Sequence, residues 1–239
     1  MRFPPSEGLN ILKSGIEKRR FYAIGRAAFA VVAIVAIVAQ FTRSFDDPFL
    51  TPGSFFFLFT YQSNVAAAVV LLIGAWKLWR VEGDSPRWDF VRGAIVTYMA
   101  TTGIVHATLP TSANDTGIVY NYPWATDVLH QLMPLVVFLD WLIVPPAHRL
   151  AIKRAALWTL YPLAFCAVSL LRGPFVDWYP YPFLDTREEA GWAGVGIYTL
   201  AIAVGFLVFS AIVVAIGNAA RQWWAGRSTV VSSPRRQAG

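Results

Sequence analysis

The chain has 239 residues, 56% of them hydrophobic and 14% charged, with a net charge of +6 and ten Trp, nine Tyr and seventeen Phe. That composition excludes an ordinary soluble domain and belongs to a protein dissolved in lipid. The excess of positive charge does not make a nucleic-acid face, because the basic residues sit at the ends of apolar segments and in the tails. A single cysteine, Cys166, excludes an intramolecular disulfide.

Residues 1–20 form a polar, basic tail. Six apolar segments follow, near Phe21–Phe41, Ser54–Trp76, Phe90–Leu109, Trp124–Val144, Ala155–Leu171 and Ala193–Ile216. Each approaches the roughly 20 residues that cross a hydrocarbon core as a helix. The expectation is an all-α integral membrane bundle of six transmembrane helices over residues 21–220, with a tail over 221–239 disordered at its end. The first segment is too long for the apolar core of a cleavable signal. Lys and Arg gather in the tails and in the second–third and fourth–fifth connections, while the other three connections hold only Arg43, Arg172 and Arg187. By the positive-inside rule both termini are cytoplasmic.

The connections carry their own punctuation. Asp46-Asp47-Pro48 and Thr51-Pro52-Gly53 form a turn-rich outer loop, and Gly83-Asp84-Ser85-Pro86 breaks the chain on the opposite side. Pro110–Pro123 lacks Lys and Arg, and Pro145-Pro146 stops the fourth helix. Between the fifth and sixth segments lies Trp178-Tyr179-Pro180-Tyr181-Pro182-Phe183-Leu184-Asp185. Its aromatics suit an interfacial anchor, or a lid over an outward-facing pocket.

Polar side chains at membrane depth are costly and mark candidate sites. Thr60, Ser63 and Asn64 stand at i, i+3 and i+4 on one helix face, with Thr60 about seven residues inside the outer end. His130 lies at matching depth in the fourth segment, with Asp127 one turn before it to orient the imidazole. Pro134 withholds the amide that the carbonyl of residue 130 needs, which predicts a kink there. Thr102 and His106 share a face of the third segment. Asp140 is too far along its helix to join His130 and is expected to pair with an inner-side Arg or to fix helix packing; His148 reads as a loop residue. The bland reading of Ser63 and Asn64 is hydrogen bonding between helices. Soluble-enzyme signatures and Cys/His metal spacings are missing.

The layout, with Phe59-Thr60, Trp124 six residues before His130, and Tyr181–Asp185, resembles the androgen-induced / FAR-17a family of integral membrane proteins. Gln62-Ser63-Asn64, Asp140-Trp141 and Trp178–Asp185 bring it nearer to bacterial relatives with six predicted transmembrane regions. The resemblance runs from the second segment to the sixth and implies a bacterial inner-membrane location. Animal members hydrolyse fatty acid esters of hydroxy fatty acids with a threonine and a histidine, which fall on Thr60 and His130. The chain departs from them at Thr126–Leu129, where they carry Asn-His-Gly-Met.

The expected function is therefore an intramembrane threonine hydrolase of lipid esters needing no cofactor or metal. Thr60 is its nucleophile and His130 its base. Asn64 is the oxyanion donor, Ser63 and Asp127 support the site, and His106 and Arg172 contact substrate. The expected partner is a membrane lipid or fatty ester, with no nucleic acid. Two rivals stand beside it: a non-catalytic lipid-binding or helper protein, and an electron carrier holding one haem between His106 and His130.

Overall fold

The computed structural model describes the backbone of residues 5–47, 50–108 and 122–231, and within these ranges the side chains of residues 15–226. Among the described residues every regular element is helical. In chain order these are α1 (Pro5–Arg43), α2 (Pro52–Phe55), α3 (Phe59–Trp79), α4 (Pro86–Thr108) and α5 (Pro123–Asp127). A π-helical turn (Val128–Leu132), α6 (Met133–Ile143), α7 (Ile152–Ala155) and a 3₁₀ turn (Ala156–Thr159) come next. Finally come α8 (Leu160–Val176), a 3₁₀ turn (Pro182–Leu184) and α9 (Gly191–Val231). The segments α5–α6 and α7–α8 each run on as one rod.

Five of these rods are long and apolar enough to cross a membrane: Gly15–Arg43, Phe59–Trp79, Pro123–Ile143, Ile152–Val176 and Gly191–Gly226. The chain is thus a helical bundle of membrane-protein character. The first helix begins at Pro5 and the last continues to Val231, so both absorb residues expected in tails. Residues 232–239 lie outside the described residues, as do 109–121, which include most of the third–fourth connection.

The helix outside that set of five, α4, is enclosed by protein along its centre. It packs on α3, α6 and α9, and its residues Arg92–Met99 are all buried. A helix enclosed by other helices has no lipid to satisfy, so it can carry Asp89, Arg92, Thr97 and Thr102 inward. Small residues let the neighbours close in. Ala30, Ala33 and Ala36 of α1 and Ala67 and Ala68 of α3 are buried in the α1–α3 pairing, the most extensive in the bundle. A Cβ on Gly74 would stand 2.7 Å from Arg26 Nη1, and one on Gly93 would stand 2.5 Å from the Trp158 ring. These glycines make room for a buried arginine and a buried indole.

Candidate active site

The second apolar segment was expected to be helical from Ser54, but it breaks. After α2 the chain turns through Phe56–Leu58, and α3 starts at Phe59. The run of phenylalanines contains no Gly or Pro to announce this. Thr60 is consequently the second residue of its helix rather than the seventh. The N-cap residue, Leu58, has no side-chain acceptor, yet the first amides find partners. The Phe59 N–H donates to Tyr181 Oη at 3.2 Å, and the Tyr61 and Gln62 N–H groups donate to the Leu58 carbonyl at 3.1 and 3.3 Å. Between them the Thr60 N–H has no acceptor among the described residues. It stands as an orphan donor in the positive field of a helix N-terminus.

One turn further on, Ser63 and Asn64 tie α3 to its neighbours. Ser63 Oγ donates to the Thr60 carbonyl at 3.0 Å and lies 3.2 Å from Thr102 Oγ1 of α4, so the Thr102 hydroxyl is left to donate to Ser63. Asn64, fully buried, donates from Nδ2 to the Thr60 carbonyl at 2.9 Å and to the Leu129 carbonyl at 3.0 Å. Both amide hydrogens are spent on backbone. Asn64 therefore acts as a strut and has none left for an oxyanion.

The Leu129 carbonyl needs that strut because of Pro134. The Met133 N–H, its α-helical partner, reaches back five residues to Val128 O instead, and the residue five beyond Leu129 is proline, which has no N–H. The expected disturbance at His130 thus takes the form of a π-turn, a feature that recurs at functional sites. The turn swings the His130 carbonyl toward α4, where a Cβ on Gly103 would meet it at 3.3 Å and Pro134 Cβ at 3.0 Å.

His130 is 8% exposed, with Nδ1 at 3.0 Å from the Thr126 carbonyl. A carbonyl only accepts, so the proton resides on Nδ1 and Nε2 is the basic nitrogen. Thr126 is itself pinned by α1, since Gln40 Nε2 donates to Thr126 Oγ1 at 3.0 Å and to the Tyr122 carbonyl at 3.2 Å. The imidazole is thus oriented by backbone. Asp127 is exposed and accepts from Gln131 Nε2 at 2.9 Å, pointing away from the ring it was expected to orient.

The face of α4 that carries Thr102 also brings His106 in. Its ring stacks on His130 with centroids 4.3 Å apart and planes 28° from parallel. Ser63, Asn64, Thr102, His106 and His130 therefore form one contiguous layer, with the start of α3 bordering it. No hydrogen bond joins the Thr60 hydroxyl to His130. Arg172 stands elsewhere, on the Gly53 carbonyl and Ser54 Oγ beside α2, both at 3.4 Å. Face-to-face rings at this spacing cannot bracket an iron between their nitrogens, so the stack is not an axial pair. Among the described residues no group of three or more His, Cys, Asp or Glu side chains is set to hold a metal.

A second polar centre occupies the other end of the bundle. Asp140 receives Arg26 Nε at 2.6 Å and Nη2 at 2.9 Å, a bidentate pair, and Arg92 Nη2 at 3.1 Å. Arg92 also donates to the Val144 carbonyl at 2.5 Å and lies over the Trp141 ring. The expected arginine partner of Asp140 is thus two arginines, one of them Arg26 from the first span. His148, read as a loop residue, closes a further contact: its N–H and Nδ1 both lie 2.9 Å from Oδ2 of the fully buried Asp89.

Two participants escaped the sequence reading. Thr126 holds the imidazole through its carbonyl, which no side-chain pattern reveals. Tyr181 caps α3 from 122 residues away, although the unusual aromatic loop that contains it is visible in the sequence. Compared with protein-family models, curated proteins and solved structures, the chain finds no match.

Proposed function

We propose that the protein is a membrane-embedded hydrolase of lipid esters, with Thr60 as nucleophile and His130 as base. We read α4 as a sixth span, both termini as cytoplasmic and the location as the bacterial inner membrane, in keeping with the resemblance to the androgen-induced family and its bacterial relatives. The observation that carries the reading is the buried His130, its Nδ1 held on the Thr126 carbonyl and its ring stacked on His106 in the layer that the start of α3 borders.

In the proposed reaction Nε2 takes the Thr60 proton as Oγ1 attacks the ester carbonyl carbon. The tetrahedral intermediate collapses, the leaving alkoxide takes that proton back, and an acyl-Thr60 remains. Water, deprotonated by the same nitrogen, then releases the carboxylic acid. The orphan Thr60 N–H suits the oxyanion, since a nucleophile's own amide at a helix N-terminus faces the developing charge. His106 lines the layer as a substrate contact. The loop around Tyr181, bonded to the neighbouring Phe59 amide, supports the lid reading of Trp178–Asp185.

The test is turnover of a long-chain fatty acid ester of a hydroxy fatty acid by the purified protein, with a fluorophosphonate probe labelling Thr60. Thr60→Ala is expected to abolish both and Thr60→Ser to retain them. His130→Ala should lose at least about a hundredfold in rate. Full turnover by Thr60→Ala overturns the mechanism. The missing Thr60–His130 hydrogen bond favours the lipid-binding rival, which takes over if the wild type cleaves no lipid ester yet retains lipid. Reporters fused after residues 84 and 116 should read inside and outside; the reverse overturns the topology.

A further inference from the structure

A crevice of about 180 Å³ lies between the start of α3 and α8, walled by Phe57, Gln62, Tyr161, Phe165, Val168 and Ser169. Gln62 is two residues from Thr60, about 200° around the helix, so this crevice belongs to a different face of α3 from the His130 layer. Its volume exceeds the roughly 150 Å³ of an apolar cavity that admits benzene. Tyr161 and Val168, at 40% and 51% exposure, leave it open sideways, toward lipid if the bundle spans a bilayer.

Its polar groups are unevenly satisfied. At one end Tyr161 Oη donates to Gln62 Oε1 at 2.5 Å, and Gln62 Nε2 donates to the Phe56 carbonyl at 2.5 Å, which seals that end. Midway, Ser169 is 2% exposed and its hydroxyl has no partner among the described residues. An unmet hydroxyl in an apolar wall is costly, and a ligand oxygen would relieve it. One turn beyond Ser169 stands Arg172, its guanidinium 4.0 Å over the ring of Phe57 and 5.6 Å from that of Trp178. Its hydrogen bonds, to Gly53 and Ser54, are both long at 3.4 Å, and it makes no ion pair among the described residues. Arg172, stacked over the Phe57 ring of the crevice wall, is thus a cation with no carboxylate among the described residues, beside an apolar slot.

We propose that this seam binds an anionic amphiphile, its carboxylate or phosphate on Arg172, an ester or acid oxygen on Ser169 Oγ, and one acyl chain along Phe165 toward Tyr161. The stripe from Tyr161 to Arg172 covers about 16 Å of helix, long enough for a chain rather than a headgroup alone. The site goes beyond the proposed hydrolysis and shares no residue with Thr60 or His130.

The test uses the full-length protein in phosphatidylcholine nanodiscs with three photoreactive probes: a diazirine-bearing long-chain fatty acid, its methyl ester, and an anionic phosphatidylglycerol carrying the same chain. The fatty acid or the phosphatidylglycerol should label the 161–172 segment at least tenfold more than the methyl ester, and whichever does so identifies the source of the anion. Arg172→Gln should remove that preference. Ser169→Phe should block labelling by filling the slot, and the milder Ser169→Val should weaken it severalfold if the bulky variant misfolds. Thr60→Ala should label like the wild type, which separates this site from the hydrolytic one. Equal labelling by the methyl ester, or unchanged selectivity in Arg172→Gln, overturns the proposal.

Discussion

At one end of the bundle, α1, α4 and α6 bring Arg26, Arg92 and Asp140 together; at the other, α3, α4 and the π-turn bring Ser63, Asn64, Thr102, His106 and His130 together. The first centre is closed by charge. Both carboxylate oxygens are engaged, Arg92 adds the Val144 carbonyl and the Trp141 face, and Gly74 leaves no space beside Arg26. The second holds no carboxylate–guanidinium pair: Asn64 and Thr126 serve the backbone, while the Thr60 amide has no acceptor among the described residues. A saturated polar cluster in a bundle fixes which helices neighbour one another. An incompletely saturated one leaves a donor, here the Thr60 amide, for chemistry.

The comparison breaks most visibly at Asp140. Asp140→Ala leaves two buried guanidinium groups without their carboxylate, and losing one partner of a buried ion pair costs about 3–5 kcal/mol. We expect the largest fall in unfolding free energy of any single change discussed, measured by denaturant titration in detergent. His130→Ala removes no charge pair and should cost far less stability while abolishing most turnover. If Asp140→Ala melts like the wild type, the charged cluster does not hold the bundle together.

A sharper probe of the second centre is Pro134→Ala. Restoring an N–H gives the Leu129 carbonyl a partner of its own five residues on, so the Asn64 strut becomes redundant there. Asn64→Leu should then cost about 1–3 kcal/mol in the wild type, the penalty of leaving a buried carbonyl unmet, and less in the Pro134→Ala background. A double-mutant cycle read by unfolding measures the coupling. Strictly additive effects would mean that Asn64 does not serve the carbonyl that Pro134 strands.

The same residues show what the sequence makes legible. Helix existence, the arginine partnership of Asp140 and a disturbance at Pro134 follow from local rules: apolar length, the cost of an intramembrane charge, and a missing amide. The break before Phe59 was not legible, because Phe55–Phe59 contains no helix breaker; in the structure the Phe55 ring stacks on Tyr61 across the break at 3.8 Å. Nor was the enclosure of α4 legible as such. Its polarity weakens it as a span when read alone and makes sense only once α3, α6 and α9 surround it. Asp127 misled for a related reason: helical spacing allows it to meet either His130 or Gln131, and spacing does not choose.

The aromatic loop gives a smaller effect with a defined sign. Arg187 bonds Asp185 through Nε at 2.8 Å and Nη2 at 2.6 Å, and it also pairs with Asp177. The Arg187 guanidinium holds the Asp185 carboxyl below its ordinary range against the opposing cost of burial, and the Arg187 backbone N–H adds to the lowering. A depressed folded value means that the contribution is present above the unfolded pKa of about 3.9 and is lost as pH falls through the folded one. Acidifying from neutral pH toward pH 3 and below should loosen the loop, read as faster proteolysis near residues 185–190. Asp185→Asn should remove that part of the acid sensitivity. The guanidinium is exposed, so the change in global stability should be slight.

The smallest expected effect is at Asp127, and its smallness is informative. A triad reading makes Asp127→Asn costly, because the third member fixes the tautomer of the base. Here that work belongs to the Thr126 carbonyl at 3.0 Å from Nδ1, while Asp127 faces outward and holds Gln131. Asparagine keeps an acceptor oxygen for Gln131, so the variant should retain turnover within about twofold and shift stability by no more than ~0.5 kcal/mol, as surface substitutions do. The measurement is kcat/KM of wild type and variant on one ester, across pH 6 to 9. A loss of a hundredfold or more would show that the carboxylate reaches His130 during turnover, and would replace the backbone-oriented base with a carboxylate-oriented one.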